Sequence, residues 1–130
     1  MKHYRGRRIE VTFDPARCLH AAECLRGLPA VFDVKRRPWI EPDAADAADV
    51  ADVVSRCPSG ALHVNGVEEE PEQPTWIEAT AGGPLWIRGD LRLVIDGEET
   101  LETRAALCRC GVSANQPYCD GSGDCTNWRR

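Results

Sequence analysis

The chain has 130 residues, 42% hydrophobic and 28% charged, with a net charge of −5. That length allows one ordinary domain or two very small ones, and the balance is that of a folded soluble protein, not a disordered tail. No apolar run approaches the roughly 20 residues needed to cross a bilayer. The basic opening Met1-Lys-His-Tyr-Arg-Gly-Arg-Arg lacks the apolar stretch of a secretory signal. A cytoplasmic location without membrane attachment is expected. Residues 1–67 carry 10 basic and 9 acidic side chains, and residues 68–130 carry 6 and 12. That distribution is not the basic footprint of a nucleic-acid binder. The acidic half either steers a basic partner or serves solubility alone.

In chain order, the opening arginines are read as the flank of a first strand. The strand itself is Arg8-Ile-Glu-Val-Thr-Phe-Asp14, where apolar and polar residues alternate. Asp14-Pro-Ala-Arg leads into Cys18. A short helix is expected from Ala21 to about Gly27, stopped by Gly27 and Pro29, followed by a short strand over Arg37-Pro-Trp-Ile-Glu41. Asp43 is the expected N-cap of a helix running to about Arg56, with Ala47, Val50, Ala51 and Val54 on one face. Cys57-Pro58-Ser-Gly60 ends it, and Ala61-Leu-His-Val64 returns as a strand. Glu68-Glu-Glu-Pro-Glu-Gln-Pro74 is charged and holds two prolines, so it reads as a linker between domains 1–67 and 75–130.

The second half reads as β-rich. Thr75-Trp-Ile-Glu-Ala79, Leu85-Trp-Ile-Arg88 and Leu91-Arg-Leu-Val-Ile95 are strand-like, separated by Gly82-Gly-Pro84 and Gly89-Asp90. Asp96-Gly97 is a hairpin-turn signal. A cysteine-rich loop follows Arg104-Ala-Ala-Leu107. There is no internal repeat.

The chain has seven cysteines, and each half has its own group. Units this small seldom stabilise themselves by burial alone, and in a reducing compartment clustered thiols point to metal or redox chemistry. Cys18-Leu-His-Ala-Ala-Glu-Cys24, with Cys57-Pro58 far downstream, follows the bacterial C-x2-C-x2-C … C-P pattern with Ala21 in the middle position. Alanine cannot bind iron, so three thiolates remain. They suit a 3Fe–4S cluster, or a 4Fe–4S cluster whose fourth iron takes another ligand. His20, one residue before the gap, is either that ligand, a hydrogen-bond donor behind the ligands, or an exposed side chain. His63 is read as structural or exposed before it is read as a ligand. A three-thiol core without metal is the bland alternative.

This half resembles the divergent mono-cluster ferredoxin-like family over about residues 4–64. The resemblance rests on Ile9-Glu-Val-Thr-Phe-Asp14, the Cys18–Cys24 segment, Leu28-Pro-Ala-Val-Phe-Asp33, Arg37-Pro-Trp-Ile-Glu-Pro-Asp43 and Cys57-Pro-Ser-Gly-Ala-Leu62. It implies half of a two-cluster ferredoxin, a small α+β sandwich.

Cys108-Arg-Cys110-Gly-Val-Ser-Ala-Asn-Gln-Pro-Tyr-Cys119-Asp-Gly-Ser-Gly123 packs three thiols among turn-forming residues, a density that suits a shared metal or cluster. It resembles the CDGSH iron–sulfur domain at Cys108, Cys110, Ser113, Pro117, Cys119, Asp120 and Gly121, with Gly83-Pro-Leu-Trp-Ile-Arg-Gly-Asp90 as that family's approach strands. The resemblance covers about residues 75–123. It implies a 2Fe–2S cluster with Cys108 and Cys110 on one iron and Cys119 on the other. The remaining ligand in the family is His, and here that position is Gly123. A His ligand is neutral, raises the reduction potential and makes cluster release pH-sensitive. Glycine does none of this.

Cys125 lies two residues on, at most roughly 7 Å further along the chain, and would give a four-thiolate site. Asp124, Asp120 or water are the competing ligands, and an incomplete site with a free Cys125 is the remaining reading. Trp128 either shields the site or simply packs. A four-cysteine zinc site competes, although zinc knuckles usually run C-x2-4-C. A Cys108-Arg-Cys110 dithiol enzyme lacks a visible base or substrate pocket.

The sequence therefore leads to an α+β chain, a mono-cluster ferredoxin-like domain followed by a small β-rich CDGSH-type domain. No acid/base pair, nucleophile or nucleotide loop is visible, so no catalysis of its own is expected. The expected function is one-electron transfer to a redox protein, a reductase or an oxygenase. The alternative is cluster transfer or iron/redox sensing. Family dimers suggest a homodimer, and the fused domain could equally take the partner subunit's place.

Overall fold

Alternation along Glu10-Val-Thr-Phe13 makes strand β2. The computed structural model, which describes residues 1–123, pairs that strand on both sides. Strand β1 (Lys2–Arg5) lies antiparallel to it, with Tyr4 opposite Val11, so the basic opening is itself a strand and not merely a flank. On the other side β3 (Leu62–Val64) sets Val64 opposite Val11 and Leu62 opposite Phe13. The sheet order is β1-β2-β3.

Helix α2 (Ala47–Ser55) lays Val50, Val53 and Val54 onto a core with Val11, Val31, Phe32, Ile40 and Leu62. Trp39 meets Phe13 edge-on with ring centroids 5.0 Å apart and also touches Tyr4 and Phe32. Three local expectations are corrected. Helix α1 spans Glu23–Gly27 and starts two residues late, because His20 and Ala22 adopt left-handed φ values of 57° and 63° that a helix cannot contain. Arg37–Glu41 is not a strand. A single bridge joins Phe32 to Ile40, and Pro38 has no N–H to give a ladder. Asp43 is not the cap of α2. It sits in a 3-10 turn over Pro42–Ala44, where its carboxylate accepts the Arg7 N–H at 2.8 Å, and α2 starts after Asp46.

A second antiparallel sheet is formed by β4 (Trp76–Ala79), β5 (Leu85–Ile95) and β6 (Glu98–Leu107), in that order. The two strands expected at 85–88 and 91–95 are one. A bulge between Arg88 and Leu91 carries the chain through Gly89, where φ is 152° and an added Cβ would run into the Thr75 side chain. Asp96 and Gly97 both have positive φ, 51° and 86°, the mirror-image turn that matches strand twist.

The chain divides into two compact units. The first holds Met1–Pro15, His20–Cys57 and Ala61–Glu68; the second holds Ala16–Leu19, Pro58–Gly60 and the chain from Glu69 onward. Each contains one three-stranded sheet, and the described helices are short. Among the described residues no helix is long and apolar enough to cross a membrane.

Candidate metal centres

The loop after β6 is tied to the end of that strand at both of its own ends. The Cys108 N–H bonds the Pro117 carbonyl at 2.8 Å, and the Cys119 N–H bonds the Ala106 carbonyl at 2.8 Å, around a Leu107–Tyr118 bridge. Inside the loop Ser113 Oγ donates to the Tyr118 carbonyl at 2.6 Å and accepts the Asn115 N–H at 3.0 Å. These bonds fold the C-x-C segment back towards Cys119.

The Sγ atoms of Cys108 and Cys110 stand 3.9 Å apart. A tetrahedral metal with metal–sulfur bonds of about 2.3 Å holds its sulfurs about 3.8 Å apart. The pair therefore fits one iron. Donors already point at the sulfurs. The Gly111 N–H reaches Cys108 Sγ at 3.2 Å, the Gln116 side-chain amide reaches the same sulfur at 3.4 Å, and the Gly121 N–H reaches Cys119 Sγ at 3.4 Å.

Burial works against the Cys108 thiolate, but hydrogen bonds from the Ser113 and Gly111 backbones, Gln116 and Cys110 outweigh it. They bring the group down from 9.0 to about 7. Cys119 goes the other way: burial raises it, and the nearby Cys108, Asp120 and Cys110 charges add to that. Asp120 is held down to about 2 by the Ser122 hydroxyl and backbone N–H and by the Ala114 N–H. Its oxygens brace the turn.

Gly123 lies against Cys110. A Cβ at that position would collide with Cys110 Sγ and stand 3.2 Å from Val112 Cβ. Among the described residues no three His, Cys, Asp or Glu side chains form a ready metal cage. Cys125, Asp124 and Trp128 lie outside the described residues. The donors Gly111 and Gln116 were not singled out from sequence, and only the resemblance to a cluster loop could have flagged backbone N–H groups there.

In the other group, Cys24 sits in the first turn of α1 and Cys57 just past α2, where its N–H bonds the Val54 carbonyl at 3.1 Å. Both are partly buried against the first unit's core. Cys18 is partly buried in the Ala16–Leu19 segment, which belongs to the second unit. His20 has a left-handed backbone. His63 is a β3 residue whose carbonyl accepts the Thr12 hydroxyl at 3.4 Å.

Residues 4–66 match the family described as divergent 4Fe-4S mono-cluster, and residues 82–122 match the iron-binding zinc finger of CDGSH type. The chain is 49% identical over 59 residues to the uncharacterized protein YjdI of Escherichia coli K12, and equally to that of Escherichia coli O157:H7. Each alignment covers 45% of this chain and 78% of the relative. No solved structure matches. Both segments singled out by their cysteine motifs are thus iron–sulfur segments.

Proposed function

Because the chain belongs to the divergent 4Fe-4S mono-cluster family and carries a CDGSH-type segment behind it, we propose that this iron–sulfur protein is a two-cluster carrier of single electrons. Cys18, Cys24 and Cys57 would hold a 3Fe–4S or 4Fe–4S cluster in a ferredoxin-like fold. Cys108 and Cys110 would hold one iron of a 2Fe–2S cluster, and Cys119 with Cys125 the other. When bound, such clusters supply reversible one-electron redox chemistry.

The observation that carries the reading is the 3.9 Å sulfur pair with N–H groups aimed at Cys108. Hydrogen bonds to a ligand sulfur favour the more negative, reduced state and so tune the potential upward. The chain's own part is to hold thiolates at metal spacing, supply those donors and brace the loop through Asp120. Catalysis is no part of the proposal. The partner is a cytoplasmic reductase or oxygenase.

Cluster handover, or iron and redox sensing, is the second reading. It is favoured by the exposure of the loop, where Val112 is 60% exposed beside Cys110 and Gly111. The test is anaerobic reconstitution with iron and sulfide counts, followed by EPR-monitored potentiometry. Two reversible one-electron steps with both clusters retained support the carrier. Quantitative loss of the 2Fe–2S spectrum to a metal-free acceptor overturns it in favour of handover. A narrow signal near the free-electron value in the oxidised protein identifies 3Fe–4S. The visible spectrum of Cys125→Ser across mildly acidic to mildly basic pH reads the fourth ligand, and an unchanged spectrum removes Cys125 from the site.

A further inference from the structure

One guanidinium gathers the segments that flank three of the candidate ligands. Arg17 is 6% exposed. Its Nη1 donates to Glu102 Oε1 at 2.7 Å, and its Nη2 donates to the carbonyls of Ser59 at 2.9 Å and Arg104 at 3.3 Å. Its Cζ lies 4.1 Å from the centroid of the Tyr118 ring. Arg17 is bonded to Cys18, Ser59 is two residues past Cys57, and Tyr118 is bonded to Cys119. Arg17, Ser59, Glu102, Arg104 and Tyr118 all belong to the second unit.

The turn after Cys57 is shaped to the same guanidinium. Gly60 has φ 74°, and a Cβ there would stand 2.7 Å from the Arg104 carbonyl oxygen and collide with Arg17 Nη2. A planar fork with several fixed donors can hold these partners at once, which a point-charge ammonium cannot. The ion pair is enclosed, with both side chains 7% exposed, so removing either member strands a buried charge. Arg17 is therefore held in place by the pair, and the three flanking segments are held by Arg17.

We propose that Arg17 is a positioning residue that couples the two cysteine groups, so that the state of one centre is felt at the other. The inference rests on the two-cluster reading. Arg17 acts through the backbone next to Cys18 and through the ring next to Cys119. Coupling of this kind is reciprocal. A plain structural staple would lower stability without linking the two potentials.

The test is a mutant cycle on the full-length, iron-loaded chain, read as the EPR-monitored midpoint potential of the 2Fe–2S centre. The first centre is emptied with Cys24→Ser/Cys57→Ser in three backgrounds: Arg17, Arg17→Lys and Arg17→Gln. With Arg17 present, emptying the first centre is expected to shift the midpoint of the second. With Arg17→Gln the shift should vanish, and Arg17→Lys should retain only part of it. Gly60→Ala, which crowds the guanidinium without removing it, should also shrink the shift and serves where Arg17→Gln fails to fold. An equal shift in every background, or no shift in the parent chain, overturns the coupling in a protein whose iron and sulfide counts show both centres loaded. Missing iron at either group in the parent chain instead overturns the two-cluster reading, and the coupling with it.

Discussion

The thiol of Cys108 shows how a loop prepares a sulfur for metal. Desolvation alone would hold it protonated, and hydrogen bonds from Ser113, Gly111, Gln116 and Cys110 reverse that, bringing it from 9.0 to about 7. Since thiolate is both the metal ligand and the nucleophile, the metal-free chain should alkylate at Cys108 before Cys119. Peptide-resolved iodoacetamide labelling should give half-maximal reactivity at about pH 7 for Cys108, while Cys119, raised by burial, should lag behind the ordinary thiol range. Gln116→Leu removes one donor and should move the Cys108 onset upward. If Cys108 and Cys119 titrate together near 9, the loop does not activate the sulfur. The same shift carries a stability signature. The folded-state value is depressed, so the donors' contribution is fully present above the unfolded thiol value and is lost as pH falls through about 7.

At the scale of elements, legibility follows the range of the forces involved. The Asp96-Gly97 turn can be read from two adjacent residues because its positive φ values are a local matter. Strand β6 cannot. Its interior positions Glu102 and Arg104 look solvent-facing, yet they are buried through ion pairs with Arg17 and Glu69, which lie 85 and 35 residues away. The same distinction holds at the centres. Cys108, Cys110 and Cys119 are legible as a spaced motif, whereas the Gly111 and Gln116 donors to Cys108 exist only once the loop has closed. Arg17 reads as an ordinary polar residue before a cysteine, and nothing local marks it as enclosed. The bulge at Gly89 is the hidden constraint of the second sheet. Gly97→Ala meets no atom within 4 Å and should cost only the left-handed penalty, about 1–2 kcal/mol. Gly89→Ala adds a clash with the Thr75 side chain, and overpacking of that kind costs roughly 1–3 kcal/mol more. Urea titration of both variants checks the order, and a Gly89→Ala protein as stable as Gly97→Ala would remove the close approach from the account.

Across the whole molecule the two units bury different things. The first encloses Phe32, Ile40, Leu62 and five valines, an apolar core of the usual kind. In the second, the buried apolar side chains among the described residues are Pro84, Ala105 and Ala106, and the company they keep is Arg17, Ser59, Glu102, Arg104, Arg109 and Ser113. Enclosed ion pairs return little beyond their own desolvation cost, so two alanines, one proline and a set of such pairs make a weak core. Metal bound to the folded form alone adds stability by mass action, about 4 kcal/mol when free ligand stands at 1,000 times its dissociation constant, and for small metal-dependent domains that term is folding free energy itself. Iron removal should therefore act unequally on the two units. Amide hydrogen exchange on loaded and chelator-treated protein should show β5 and β6 (Leu85–Ile95 and Glu98–Leu107) losing most of their protection, while α2 and β3 (Ala47–Ser55 and Leu62–Val64), held by the valine core, keep theirs. Equal loss in both units would mean that the first also depends on its metal for folding. Full retention in β5 and β6 would mean that the buried ion pairs hold the second sheet without any metal.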